Sequence, residues 1–221
     1  ETNTTQVEPN AATTSLAVTE AALPDSLVDV QRAAKYGVLA PLTLGEERDE
    51  VLENELVKIT VSTKGGQIKE VLLKNYFSWK EEPLKIFEAG NSSMSFSAET
   101  RFGTFDLSDF YFSPSLSSED IEGVKSQTLT LTAGTESGQI IQKLTLAEGS
   151  YVIEKSFEVK NYQGVFTGKN LQVQWADKIR SQEKDLAESR RKTQVNYYLS
   201  NGSYENLGLS DDPEEATVEE P

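Results

Sequence analysis

The chain has 221 residues, 21 Lys plus Arg against 36 Asp plus Glu, and neither His nor Cys. Disulfides, zinc sites of the usual ligand types, Cys or Ser–His nucleophiles and imidazole acid–base chemistry are thereby excluded, which leaves carboxylates, Lys, Tyr and Ser as the available reactive groups. A net charge of −15 repels phosphate backbones and anionic head groups, so binding of nucleic acid or of a membrane surface through a basic patch is not expected.

Charge is distributed unevenly along the chain. Residues 1–50 hold nine acids and three bases, residues 51–205 hold 21 and 18, and residues 206–221 hold six acids and no base. This predicts an N-terminal linker over 1–50, one domain over 51–207 and an acidic linker over 208–221. No apolar run approaches the ~20 residues that cross a bilayer. A start at Glu1 rather than Met is what a mature chain or an excised fragment gives.

Residues 1–25 are rich in Thr, Ala, Asn and Glu without a sustained apolar period, the pattern of a disordered linker. Ser26 to Gly37 predicts a short helix: Ser26 is a cap, Leu27, Val30 and Ala34 share a face, and Gly37 suits the stop. Its apolar stripe is thin, so a loosely docked tether is favoured over a helix laid on the domain.

From Val57 the period becomes two. Val57, Ile59 and Val61 alternate with Lys58, Thr60 and Ser62, and Gly65-Gly66 supplies a turn before a return strand from Ile68 to Lys74. A polar and aromatic loop is expected from Asn75 to Pro83. Further alternating runs centre on Met94, Phe96 and Ala98, on Leu129 and Leu131, on Ile153, Phe157 and Val159, and on Leu171, Val173 and Trp175. Asn201-Gly202, between Tyr197–Leu199 and Tyr204–Leu207, reads as a two-residue type I′ hairpin. About ten short strands with almost no helical period predict an all-β, antiparallel sandwich. Only Ser181 to Arg191 is compatible with a further helix, which Ser181 can cap; with few apolar anchors, an exposed helix and a mobile loop fit it equally well.

Few residues suggest chemistry. Phe102, Phe105, Phe110, Tyr111 and Phe112, with Tyr76, Phe77 and Trp79 upstream, fit core filling, while Tyr76, Trp79, Phe110 and Tyr111 are also candidates to line a groove for a peptide or sugar. Asp106 with Asp109, and Glu119, Asp120 and Glu122, are paired carboxylates of the sort found on any surface loop. The run from Gly164 to Asn170 departs from a phosphate loop in its spacing and lacks the Ser or Thr that holds magnesium; it reads as a turn. Lys178, Arg180, Lys184, Arg190, Arg191 and Lys192 form the one locally basic stretch, interleaved with acids, and are candidates for docking an acidic partner. Exposed edge strands are a second candidate surface, able to pair with an extended segment.

One segment carries a family resemblance. Glu53 to Tyr76, with Ser62-Thr63-Lys64-Gly65-Gly66, Ile68, and then Val71, Leu73, Lys74 and Tyr76, resembles the opening of the large extracytoplasmic domain of the YidC-type bacterial membrane protein insertases. The likeness continues more loosely through Tyr151–Asn161 and Leu171–Trp175, to about residue 207. It implies a β-supersandwich on the periplasmic face of the bacterial inner membrane, carried by a multi-pass protein. A transmembrane helix and linker would precede the domain, and residues 208–221 would lead toward a membrane core that this chain lacks. Partners implied are Sec translocon subunits and nascent membrane proteins, with membrane contact only through the missing spans and the isolated domain monomeric. The implied fold is similar to galactose mutarotases, enzymes that use His and a carboxylate, and this chain has no His. A non-catalytic scaffold and docking module without cofactors is therefore expected. The alternative is a carbohydrate- or peptide-binding sandwich of a secreted or lipid-anchored protein.

Overall fold

The computed structural model describes residues 25–208 apart from Glu122, Gln163, Ile179, Thr193 and Ser200. Residues 1–24 of the linker expected over 1–50, and residues 209–221 of the acidic linker expected over 208–221, lie outside the described residues. Thirteen strands are described, every pairing between them is antiparallel, and the all-β expectation holds.

The first sheet follows directly from the period of two. β1 (Asp49–Glu53), β2 (Val57–Ser62), β3 (Ile68–Phe77) and β4 (Pro83–Glu88) pair in that order. Val57, Ile59 and Val61 are all buried, as their shared face requires. β3 runs on to Phe77 instead of ending near Lys74, because β4 pairs alongside it as far as Phe77↔Pro83.

The other strands form two more sheets and a hairpin. β7 (Ser113–Ile121), β8 (Val124–Thr135), β9 (Gly138–Ala147) and β10 (Ile153–Lys160) form the second sheet, in the order β10-β9-β8-β7. A third places β5 (Ser92–Thr100) between β11 (Phe166–Asp177) and β6 (Gly103–Asp106). β12 (Gln194–Tyr198) and β13 (Tyr204–Gly208) form a separate two-stranded ribbon.

All three larger sheets feed one apolar core. Leu52 and Ile59 come from the first, Leu129, Leu131, Leu144 and Leu146 from the second, and Phe96 and Phe105 from the third. Before the first sheet, α1 (Asp25–Tyr36) is followed by a 3-10 helix over Gly37–Thr43. The first turns of α1 leave Leu27 and Val30 exposed, as a tether would. Its last residue behaves differently: Tyr36 is buried, with its ring 4.9 Å from Phe105, and Leu39 and Leu42 beyond it are core residues. The chain before residue 51 thus contributes to the core.

Two local expectations need correction. Tyr198 pairs with Tyr204, the Gly202 N–H donates to the Leu199 carbonyl, and the Leu199 N–H donates to the Ser203 carbonyl. Gly202 has positive φ and Asn201 does not, so the hairpin closes through a longer glycine-ended turn instead of a type I′ pair. The helix near 181–191 starts later than expected, as α2 (Leu186–Lys192), because Asp185 is its cap: its carboxylate accepts the Glu188 N–H at 3.0 Å. Ser181 instead donates to the Glu183 carbonyl.

Candidate functional site

The edge of β4 away from β3 forms one wall of a cleft of about 350 Å³, and the chain leaving β11 forms the other. Tyr76 and Phe77 at the end of β3 and Ile86 on β4 supply exposed apolar surface to it. At its centre the Glu88 carboxylate pairs with Arg180, while Lys85 Nζ lies 2.8 Å from Glu88 Oε1 and 2.5 Å from Glu70 Oε2. The hydrogen bond from Lys85, reinforced by the charge of Arg180, holds the Glu88 carboxyl below the usual carboxylate range. Hydrogen bonds to Glu70 and Glu88 hold the Lys85 ammonium above its ordinary value. Ser92 Oγ donates to Asp177 Oδ1 at 2.6 Å at the far end.

Of the six basic candidates, the cleft brings together Lys178 and Arg180. Lys184 is exposed beyond it. On α2, Arg191 and Lys192 both pair with Glu188, the latter at 3.0 Å, and Arg190 is exposed. The basic stretch is therefore a line of surface cations partly neutralised in place, where each exposed pair contributes little.

The four aromatic candidates do not share a groove. Tyr76 lines the cleft. Trp79 is tied to it through its main chain, its N–H donating to the Gln182 carbonyl at 3.0 Å, while its ring is exposed beside Lys80. Phe110 is a core residue, 1% exposed, and cannot line a surface groove; Tyr36 and Phe105 surround its ring. Tyr111, the next residue in an extended segment, points the other way, toward Lys64. The carboxylate candidates have local roles: Asp106 accepts the Ser108 N–H, Asp109 accepts the Tyr36 hydroxyl at 2.8 Å, and Asp120 accepts the Gly123 N–H. Glu122 is outside the described residues.

An inner polar junction escaped the sequence. Gly65 and Gly66 both take positive φ, and their carbonyls point into the second sheet. Gln142 Nε2 donates to the Gly65 carbonyl at 3.0 Å, and Lys155 Nζ donates to the Gly66 carbonyl at 2.9 Å. Lys155 also sits 4.5 Å from the Phe96 ring and 5.3 Å from that of Phe157. Burial pushes its ammonium down to about 8. A signal was present: Lys155 shares the parity of Ile153 and Phe157, a cation on the apolar side of its strand.

The Gly65-Gly66 turn lies in the segment that carried the family resemblance, and the comparison with known proteins agrees with it. Residues 51–220 match the YidC periplasmic domain. The chain belongs to this family. It is 30% identical over 201 residues to the "Membrane protein insertase YidC" of Cytophaga hutchinsonii, covering 90% of this chain and 32% of that protein. The protein of the same description from Porphyromonas gingivalis is 30% identical over 207 residues, covering 92% and 32%, and that from Amoebophilus asiaticus 27% over 188, covering 84% and 32%. The chain thus spans about a third of the length of these curated relatives. Among the described residues of this YidC periplasmic domain, no helix is long and apolar enough to cross a membrane.

Proposed function

We propose that this domain is the extracytoplasmic scaffold of a membrane protein insertase, held at the periplasmic face of the bacterial inner membrane, and that it works by binding and not by bond-making. The observation that carries this reading is the family match across 51–220, to a domain whose longer relatives are described as insertases. The partners it points to are subunits of the Sec translocon and nascent membrane proteins, engaged by the full-length protein. The exposed cations Lys178, Lys184 and Arg190 are the docking surface, with Arg180, Arg191 and Lys192 already matched to acids of the chain. Exposed, weakly committed charges of this kind set partner choice and association rate more than affinity.

Charge reversal tests the docking surface. The triple substitution Lys178→Glu, Lys184→Glu and Arg190→Glu in the full-length insertase is expected to lower co-purification with translocon subunits while leaving the circular dichroism of the domain unchanged. Undiminished co-purification removes the docking role.

A further inference from the structure

β4 is an outer strand with β3 as its one strand partner, yet its other edge is not bare. The chain leaving β11 runs along it in the opposite direction. The Lys178 N–H donates to the Asn91 carbonyl at 2.8 Å, Arg180 pairs with Glu88, and Gln182 Nε2 donates to the Lys85 carbonyl at 2.9 Å. The Gln182 carbonyl in turn accepts the Trp79 N–H at 3.0 Å. As the position rises from 178 to 182, the contacted position falls from 91 to 79, the direction of an antiparallel neighbour. The contacts are discrete and made by exposed or half-buried residues, with the cleft between them.

We propose that the outer edge of β4 is a strand-addition site, that residues 180–183 are its removable cover, and that it accepts an extended polypeptide bearing a cationic side chain opposite Glu88. Unpaired strand edges are templates for an added strand, and proteins guard them with covering segments. The charge requirement follows from Lys85, whose one ammonium serves both Glu70 and Glu88. Once Arg180 leaves, two carboxylates face a single cation, so the entering segment is selected for positive charge at that position. Beside it, the exposed Phe77 and Ile86 favour apolar side chains at the alternate positions. Lys178 borders this cleft and is also one of the proposed docking cations, but its contribution here is the main-chain N–H, so charge reversal at Lys178, Lys184 and Arg190 leaves the strand edge and Glu88 in place and the two ideas are tested separately.

Amide hydrogen exchange on the 221-residue chain tests this. In the double variant Arg180→Ala, Gln182→Ala, the Trp79 amide, which the Gln182 carbonyl accepts, is expected to exchange about tenfold faster, while β8 and β9 keep their protection and so report an intact fold. A synthetic peptide of residues 178–185 added in excess restores the lost protection in the variant, and the same peptide carrying Arg180→Glu does not. Unchanged exchange in the variant overturns the removable cover. Failure of the first peptide to protect, or equal protection by both, overturns the charge-selective strand site.

Discussion

Lys155 shows how one side chain sets the balance between charge and burial. Its ammonium has the Gly66 carbonyl and two aromatic faces for company, and no acid among the described residues pairs with it. Its value of about 8 in the fold lies below the ordinary lysine value of 10.5. Between those two pH values the unfolded chain binds a proton that the folded chain has released, so stability rises with pH across that window. Below about 8 both states hold the proton and the desolvation penalty is constant. The shift corresponds to about 2 kcal/mol once partial exposure is allowed for. Lys155→Met keeps the length and the aromatic packing, and removes the titration. Urea unfolding at pH 7 and pH 10 should therefore show the wild type gaining about 2 kcal/mol relative to Lys155→Met between them. Parallel behaviour of the two proteins would show that the ammonium is solvated.

Among the elements, the β2–β3 turn joins the first sheet to the second, and its glycines are needed for different reasons. A Cβ on Gly65, at φ +75°, would lie 2.7 Å from the Ser108 Cα, which is backbone. On Gly66, at φ +62°, it would lie 2.5 Å from Oε1 of the buried Gln142. Gly65→Ala is expected to cost about 3 kcal/mol or more and Gly66→Ala about 2 kcal/mol. In a double-mutant cycle by urea denaturation, Gln142→Ala should relieve part of the second cost but not the clash with the Ser108 backbone that dominates the first. The sequence displayed the turn and the parity of β2, because alternation and paired glycines are local signals. Parity also separates Phe110 and Phe112, both buried, from Tyr111 between them. It could not display what the glycines touch, since Gln142 and Lys155 come from another sheet. The same limit hid the cleft: Lys178 and Arg180 were visible as charges, but Glu88, 92 positions from Arg180, was not visible as a partner. The start of α2 is ambiguous in the sequence for a local reason, since Ser181 and Asp185 are both good caps and only Asp185 is followed by turns that close.

For the molecule as a whole, the question is where the folding unit ends. The family match begins at residue 51, but burial does not. Leu39 is 0% and Leu42 4% exposed, and Tyr36 closes over Phe105 and Phe110. Removing two buried leucines and a buried tyrosine forfeits roughly 6–10 kcal/mol, comparable with the whole stability of a domain this size. The C-terminal hairpin is placed differently: β12 and β13 pair with each other, and Tyr198 and Tyr204 stack edge to face in the open, 74% and 53% exposed. Two deletions should therefore behave asymmetrically under thermal unfolding followed by circular dichroism. Loss of residues 1–43 is expected to abolish the cooperative transition, whereas loss of residues 194–221 should move the midpoint by no more than about 3 °C. Cooperative melting of the chain starting at residue 44 would make α1 and the 3-10 helix a dispensable tether. A collapse on losing the hairpin would mean that β12 and β13 carry part of the core.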